Sequence, residues 1–346
     1  MTSHSYDVVI IGGGPAGLGA ALTLSRARRS VLVVDAGRPR NARAAHAHNY
    51  LGREGVPPLE LLAIGRAEVT GYGGEVRAGT VTSLTRAESG QLRVHIADEA
   101  GKSTVDARRV VLATGLVDDL PPIPGLADRW GRDVLHCPYC HGWEARDQSV
   151  GIIGAGPASI HQTLLWRQWT EQVTLFANEV VELTDEDRVK FDARGIAVVA
   201  GKVDRLVVED DALAGVEVAD GTVFAVDFAV VLPIAHAREA VLTGLGLHAV
   251  EQRMGEQMVG TVLAKTGPSG ATEVPGVWVA GNVGDHRAQV IVSAADGVLV
   301  GAQINFDLVD EDTAKAVAAY PFTPELEQQV CEQVLGDRRH GLTTSG

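Results

Sequence analysis

Two glycine-rich turns 142 positions apart, each between an apolar run and an amphipathic stretch, predict an α/β chain. The fold class is a pair of Rossmann-like, three-layer ββα nucleotide-binding domains, the second inserted into the first. One observation is the repeat itself. Asp7-Val-Val-Ile-Ile-Gly12-Gly-Gly14-Pro15-Ala16-Gly17 returns as Gln148-Ser-Val-Gly-Ile-Ile-Gly154-Ala-Gly156-Pro-Ala-Ser159. Another is that each copy leads to a second apolar run, Val31 to Val34 and Val173 to Phe176, at the same offset. Strand, turn, helix, strand is a βαβ unit, and such units build parallel sheets. The third is length: 346 residues suit two domains at about 100 to 200 residues each.

The remaining elements follow in chain order. Gly79 to Asp106 holds short alternating runs, such as Gln91 to Ile96, which read as an antiparallel meander. Val110 to Gly115 is a buried strand ending at a glycine turn. Pro121, Pro122 and Pro124 then mark a linker. Lys202 to Val231 repeats the meander in the second half, and Val277 to Gly281 is a strand leading through a polar loop into a helix. Thr323 before Pro324 is an N-cap with proline at the first helical position, starting a helix to about Leu335. The expected domains are residues 1–118 with 245–312, an inserted 119–244 that contains Cys137 and Cys140, and a C-terminal helix and tail over 313–346.

Composition narrows the function. With 45% hydrophobic and 21% charged residues the chain is globular, not disordered. Lys+Arg of 30 against Asp+Glu of 44 gives −14, which excludes the basic face that nucleic acid or an anionic membrane needs. Forty glycines without a three-residue period exclude collagen and point to tight turns. Met1 to Asp7 has no Lys or Arg, so no secretory signal is expected. The nearest approach to a membrane span is Thr222 to Ala235, broken by Asp227 and Pro233. A cytoplasmic protein is expected. Three cysteines are too few for a disulfide scaffold, yet two form Cys137-Pro138-Tyr139-Cys140. In a reducing compartment that spacing is catalytic or metal-binding.

Gly12-x-Gly14-x-x-Gly17 permits a tight turn, close approach of a pyrophosphate and close helix–strand packing, in that order. Asp35 ends the next strand, where an acid can bind a ribose hydroxyl. These residues, Ala113-Thr114-Gly115 and Gly276 to Asn282 together resemble the three FAD-binding segments of two-domain flavoprotein disulfide reductases. A CxxC shortly before the second glycine motif resembles the low-molecular-weight thioredoxin reductase type, over roughly residues 5 to 310. The resemblance implies FAD along Gly12, Gly14, Pro15, Ala16, Gly17, Asp35 and Asn49. It extends that site to Ala113, Thr114, Gly115, Gly281, Asn282, Gln289 and Val290. Asn282 departs from the aspartate usual there, but an amide both donates and accepts.

For the cysteine pair three readings stand side by side. A zinc site would enlist His136 and His141, but there is no second CxxC and one short segment does not build a tetrahedron, so no metal is expected. Two inert core cysteines conflict with the turn that Pro138, His141 and Gly142 imply. A redox pair needs a thiolate, a sulfur acceptor and an electron sink. By resemblance, Cys137 exchanges with substrate and Cys140 lies against the flavin. Pro-Tyr between the cysteines is the glutaredoxin dipeptide. Glutaredoxins lie near −200 to −230 mV against about −270 mV for thioredoxin, which makes the disulfide more oxidising by roughly 2 to 3 kcal/mol. His141 stands where reductases of this type carry an acid, and an imidazole of pKa about 6.5 suits a base that takes protons from a dithiol. The plain alternative is a surface histidine. His136 flanks the pair without a comparable role. Trp143 is a candidate wall for a substrate pocket, Trp166 and Trp169 read as helix packing, and Cys331 as a buried or idle thiol.

The second glycine motif lacks what a nicotinamide cofactor needs. Ser159 replaces its third glycine, Ala177 replaces the ribose acid, and Glu179 would repel a 2′-phosphate. Arg188 and Lys190 lie beyond an acidic Asp185-Glu-Asp187. A flavin and a dithiol pair without that site should run outward, from substrate dithiol to disulfide, with O2 returning the flavin to its oxidised state as H2O2 forms. Cys137 to Glu144 resembles the dithiol oxidases of gliotoxin- and holomycin-type natural products, as does His48 to Pro58. That resemblance implies an FAD-dependent dithiol oxidase acting on a small molecule as a homodimer. An NAD(P)H-dependent thioredoxin-type reductase and a non-enzymatic redox sensor are the alternatives.

Overall fold

The computed structural model describes residues 4–238, 243–320 and 323–335. The first sheet has seven strands. In spatial order they are Glu75–Ala78, Val31–Asp35, Ser5–Ile11, Gly101–Leu112, Leu92–Asp98 and Thr80–Arg86, with Val277–Val279 also paired to Gly101–Leu112. Ser5–Ile11 runs parallel to both neighbours, with Val8 opposite Val31 and Val9 opposite Val110. Val8, Val9 and Ile10 are fully buried, which is why this strand is a continuous apolar run rather than an alternating one. The meander is antiparallel, as its alternation predicts, and the long strand Gly101–Leu112 joins it to the parallel part.

Helix Pro15–Arg26 starts at the first glycine turn. A Cβ on Gly17 would lie 1.9 Å from the Gly12 carbonyl oxygen, so only glycine lets helix and strand meet this closely. The second fold repeats the plan. Five parallel strands take the order Ala197–Val199, Val173–Phe176, Val150–Ile153, Phe228–Val231 and Val134–Leu135. Its meander is the three-stranded sheet Val203–Glu209, Ala212–Val218 and Val223–Ala225.

A fourth sheet is not visible in the sequence. Leu116–Asp119 and Ile234–Ala237, the two passages of chain between the folds, pair antiparallel with each other, and Gln257–Leu263 and Ala249–Met254 extend them. Pro121, Pro122 and Pro124 follow directly in irregular chain, as expected.

Helix Val290–Ala319 is 30 residues long. It corrects the reading of apolar segments. By length and composition it is the one described helix able to cross a membrane, whereas Thr222 to Ala235 is divided among strands. Its first turns lie against Pro15–Arg26. A Cβ on Gly297 would fall 2.0 Å from the Ala16 carbonyl oxygen. The chain forms two compact units, Met1–Ala302 and Gln303–Gly346. In the second, Leu326 N donates to Thr323 Oγ1 at 3.2 Å, the expected N-cap of Pro324–Leu335. Cys331 there is exposed, not buried. Residues 336–346 of the expected tail lie outside the described residues.

Candidate active site at the cysteine pair

A cavity of about 370 Å³ lies within Met1–Ala302 and gathers most of the residues singled out above. Gly12, Gly14, Pro15 and Ala16 line it from the first turn. Ala113, Thr114 and Gly115 line it from the end of the central strand, and Asn282, Gln289 and Val290 from the loop before the long helix. Asp35 is on the wall, and so are Cys137, Cys140 and His141. The parallel topology explains the meeting: ligands of such sheets bind where strands end at their carboxyl edge.

Gly17, Gly281 and Asn49 are off the wall and hold it instead. Gly17 sets the helix against the strand. Gly281 donates its N–H to Asp296 Oδ2 at 2.7 Å, and that carboxylate also takes Lys265 Nζ at 2.8 Å. Asn49, at φ +60°, turns its side-chain amide to the Tyr139 carbonyl at 2.6 Å, tying its loop to the cysteine turn. Asn282 donates to the carbonyls of Asp285 (3.2 Å) and Ala288 (2.8 Å). A carboxylate has no hydrogen to give those carbonyls, which accounts for an amide at this position.

Cys137 and Cys140 form a disulfide with Cα atoms 5.3 Å apart; Cys137 is the N-cap of the single helical turn Pro138–His141, which contains Cys140. The turn is less open than the sequence suggested. Pro138 and Gly142 are buried, and only Tyr139 protrudes, 57% exposed. Tyr139 stands edge-on to Trp169 at 5.6 Å, and a Cβ on Gly142 would meet the Trp169 ring at 2.8 Å. Trp169 thus buttresses the turn, while Trp166 is fully buried in the core beneath. Trp143 is 67% exposed, off the cavity wall, with Arg146 stacked 4.2 Å from its ring centre.

Both ring nitrogens of His141 are buried and lack a hydrogen bond of full geometry, the Cys137 backbone interacting only weakly with the ring. Burial holds its pKa below the usual 6.5; the Glu144 carboxylate opposes that shift and the nearby His48 reinforces it. His136 is pushed down further, to about 4, by burial first and then by the Arg40 charge. Both are therefore neutral at pH 7. A neutral, weakly bonded imidazole beside a cysteine pair is a proton acceptor.

The sequence did not single out the acid–base groups around it. His48 Nδ1 lies 2.6 Å from Glu54 Oε1, and His48 Nε2 lies 3.4 Å from Glu144 Oε1. Arg40 pairs with the nearly buried Asp118 on the same cavity wall, Nε to Oδ2 at 2.8 Å. His48, Glu54 and Glu144 all lie in the segments that carry the resemblance, His48 to Pro58 and Cys137 to Glu144.

A profile of the family described as pyridine nucleotide-disulphide oxidoreductase matches residues 6–297. The chain belongs to that family. It is 32% identical over 316 residues to thioredoxin reductase tcpT of Claviceps purpurea, covering 89% of this chain and 96% of that one. Thioredoxin reductase sirT of Leptosphaeria maculans is 30% identical over 329 residues, with coverage of 89% and 96%. Among solved structures, HlmI is 47% identical with a TM-score of 0.82, covering 92% and 97% of the two chains. An oxidoreductase from Agrobacterium tumefaciens is 34% identical with a TM-score of 0.81, covering 88% and 99%. The chain is a thioredoxin reductase-like flavoprotein disulfide oxidoreductase, and its cofactor is FAD. The cavity fits that group. Gly14 has open space where a side chain would stand, and Thr114 Oγ1 is a buried hydroxyl without a partner. Gly12 to Ala16 would hold its pyrophosphate and Asp35 its ribose.

Proposed function

We propose that the protein is a dithiol oxidase that closes an intramolecular disulfide in a small molecule. The observation that carries this reading is the Cys137–Cys140 disulfide on the FAD cavity wall beside a buried, weakly bonded His141 imidazole. A substrate thiolate attacks Cys137, forming a mixed disulfide and releasing Cys140 as a thiolate. The second substrate thiol then attacks the substrate sulfur of that bond, so product leaves oxidised and the pair is left with two electrons and two protons. His141 takes a proton from the incoming thiol, and burial keeps it in the form able to do so at neutral pH.

Bound FAD supplies a two-electron sink that dioxygen can empty, giving hydrogen peroxide. Asn49 and Trp169 keep the turn against the cavity while the disulfide opens and closes. The exposed Tyr139 and Trp143 are where an apolar substrate would first touch the protein. A cytoplasmic homodimer belongs to the same reading. The test is oxygen uptake by the FAD-loaded protein with dithiothreitol as the probe dithiol. One hydrogen peroxide should appear per disulfide formed. Absence of dithiol-dependent uptake would reject the proposal.

A further inference from the structure

The internal repeat supplies a comparison between its two turns. Gly14 and Gly156 hold the same place in their motifs. At Gly14 nothing lies within 4 Å of the position a Cβ would take, and the space is part of the FAD cavity. At Gly156, whose φ of +137° differs from the −77° of Gly14, the corresponding position falls on a side chain of the same protein. A Cβ there would fall 2.5 Å from Gln257 Oε1 and 2.6 Å from Gln257 Cδ.

Gln257 is the first residue of the strand Gln257–Leu263, in the sheet formed by the two passages between the folds. Its carbonyl oxygen accepts the N–H of Ala158, first residue of the helix Ala158–Trp166, at 2.9 Å. Its amide nitrogen donates to the Ala155 carbonyl at 3.1 Å. In a dinucleotide site, the helix-start N–H groups are the ones that receive a pyrophosphate. Here one is already satisfied by an internal amide. Ser159 Oγ also accepts the Ala155 N–H, at 3.0 Å, where the first turn has Gly17 with no side chain.

The next contacts agree. Ala177 stands where the first fold has Asp35. Asn178 is bonded inward, Nδ2 to the Gly154 carbonyl at 3.0 Å and Oδ1 to the Val203 N–H at 2.8 Å. Glu179 is exposed at the turn. The nicotinamide dinucleotide that the family description implies does not fit these residues.

We propose that Gln257 is a specificity-determining residue: its side chain occupies the second dinucleotide turn as an internal ligand and keeps NAD(P)H out. This concerns the donor that is refused. It stands apart from the oxidase reading, which dithiol-driven oxygen uptake tests on its own.

The experiment is calorimetric titration of NADH into the FAD-loaded protein under anaerobic conditions. Ala177→Asp restores a ribose acid, and Gln257→Ala clears the turn. Wild-type protein and Ala177→Asp alone should show no saturable heat up to about 1 mM. The double variant should bind NADH at least about tenfold more tightly than Ala177→Asp, the effect of freeing one donor for a charged phosphate. Should the alanine variant melt early, Gln257→Ser with Ala177→Asp should give the same order of affinities. Equal binding with Gln257 in place would overturn the proposal, and so would a folded double variant that binds no NADH.

Discussion

Removing the His141 imidazole should change the pH profile of thiol oxidation more than its plateau. Burial holds the His141 pKa below 6.5, so the neutral, proton-accepting form is present through neutrality and somewhat into acid. The wild-type acid limb should therefore lie below pH 6.5. In His141→Ala the incoming thiol must ionise unaided, with a pKa of about 8.5. At pH 7 about 3% of such a thiol is thiolate, so the rate should fall roughly 30-fold there. At pH 6.5 the deficit grows to roughly 100-fold, and at pH 8.5 it shrinks to about twofold. The assay is oxygen uptake with dithiothreitol from pH 5.5 to 9, backed by anaerobic flavin reduction to isolate the thiol steps. A deficit that is equal at every pH would mean the substitution merely disturbs the turn. An unchanged profile would refute the base assignment.

Two further outcomes are expected. Cys137→Ser should abolish turnover, whereas Cys140→Ser should still trap substrate as a mixed disulfide detectable by mass; normal turnover by Cys140→Ser would reverse the assignment of the two sulfurs. His136 should make the protein acid-sensitive. Its folded pKa of about 4 lies below the ordinary 6.5, so the unfolded chain binds the proton first as pH falls. Stability is complete above pH 6.5 and is lost on descending toward 4, by about 3 kcal/mol at 1.36 kcal/mol per pH unit. Urea unfolding of His136→Gln should show a smaller pH slope over that window, and an equal slope would place the sensitivity elsewhere.

What the sequence reveals and what it hides divides along the range of the interactions. The turn at Gly12 to Gly17, Asp35 and the Thr323 N-cap are set by local geometry, so spacing alone identifies them. The pairing of Leu116–Asp119 with Ile234–Ala237 joins segments more than a hundred residues apart and carries no periodic signature of its own. Gln257 is similar: a lone glutamine starting a strand has no reason to stand out until the fold lays it on Gly156. The group of His48, Glu54 and Glu144 escaped for the same reason, because two loops must meet before it exists. Asn282 departs visibly from the aspartate usual there, but its purpose lies in the Asp285 and Ala288 carbonyls that the fold brings to it.

The direction of electron flow separates an oxidase from a reductase, and competing donors reveal it. Under anaerobic conditions the FAD-loaded protein is mixed separately with dithiothreitol and with NADPH, and loss of the oxidised flavin band is followed. Rapid bleaching by the dithiol, negligible bleaching by NADPH, and return of the band on admitting oxygen are expected. Rapid bleaching by NADPH without dithiol would make the protein a reductase instead.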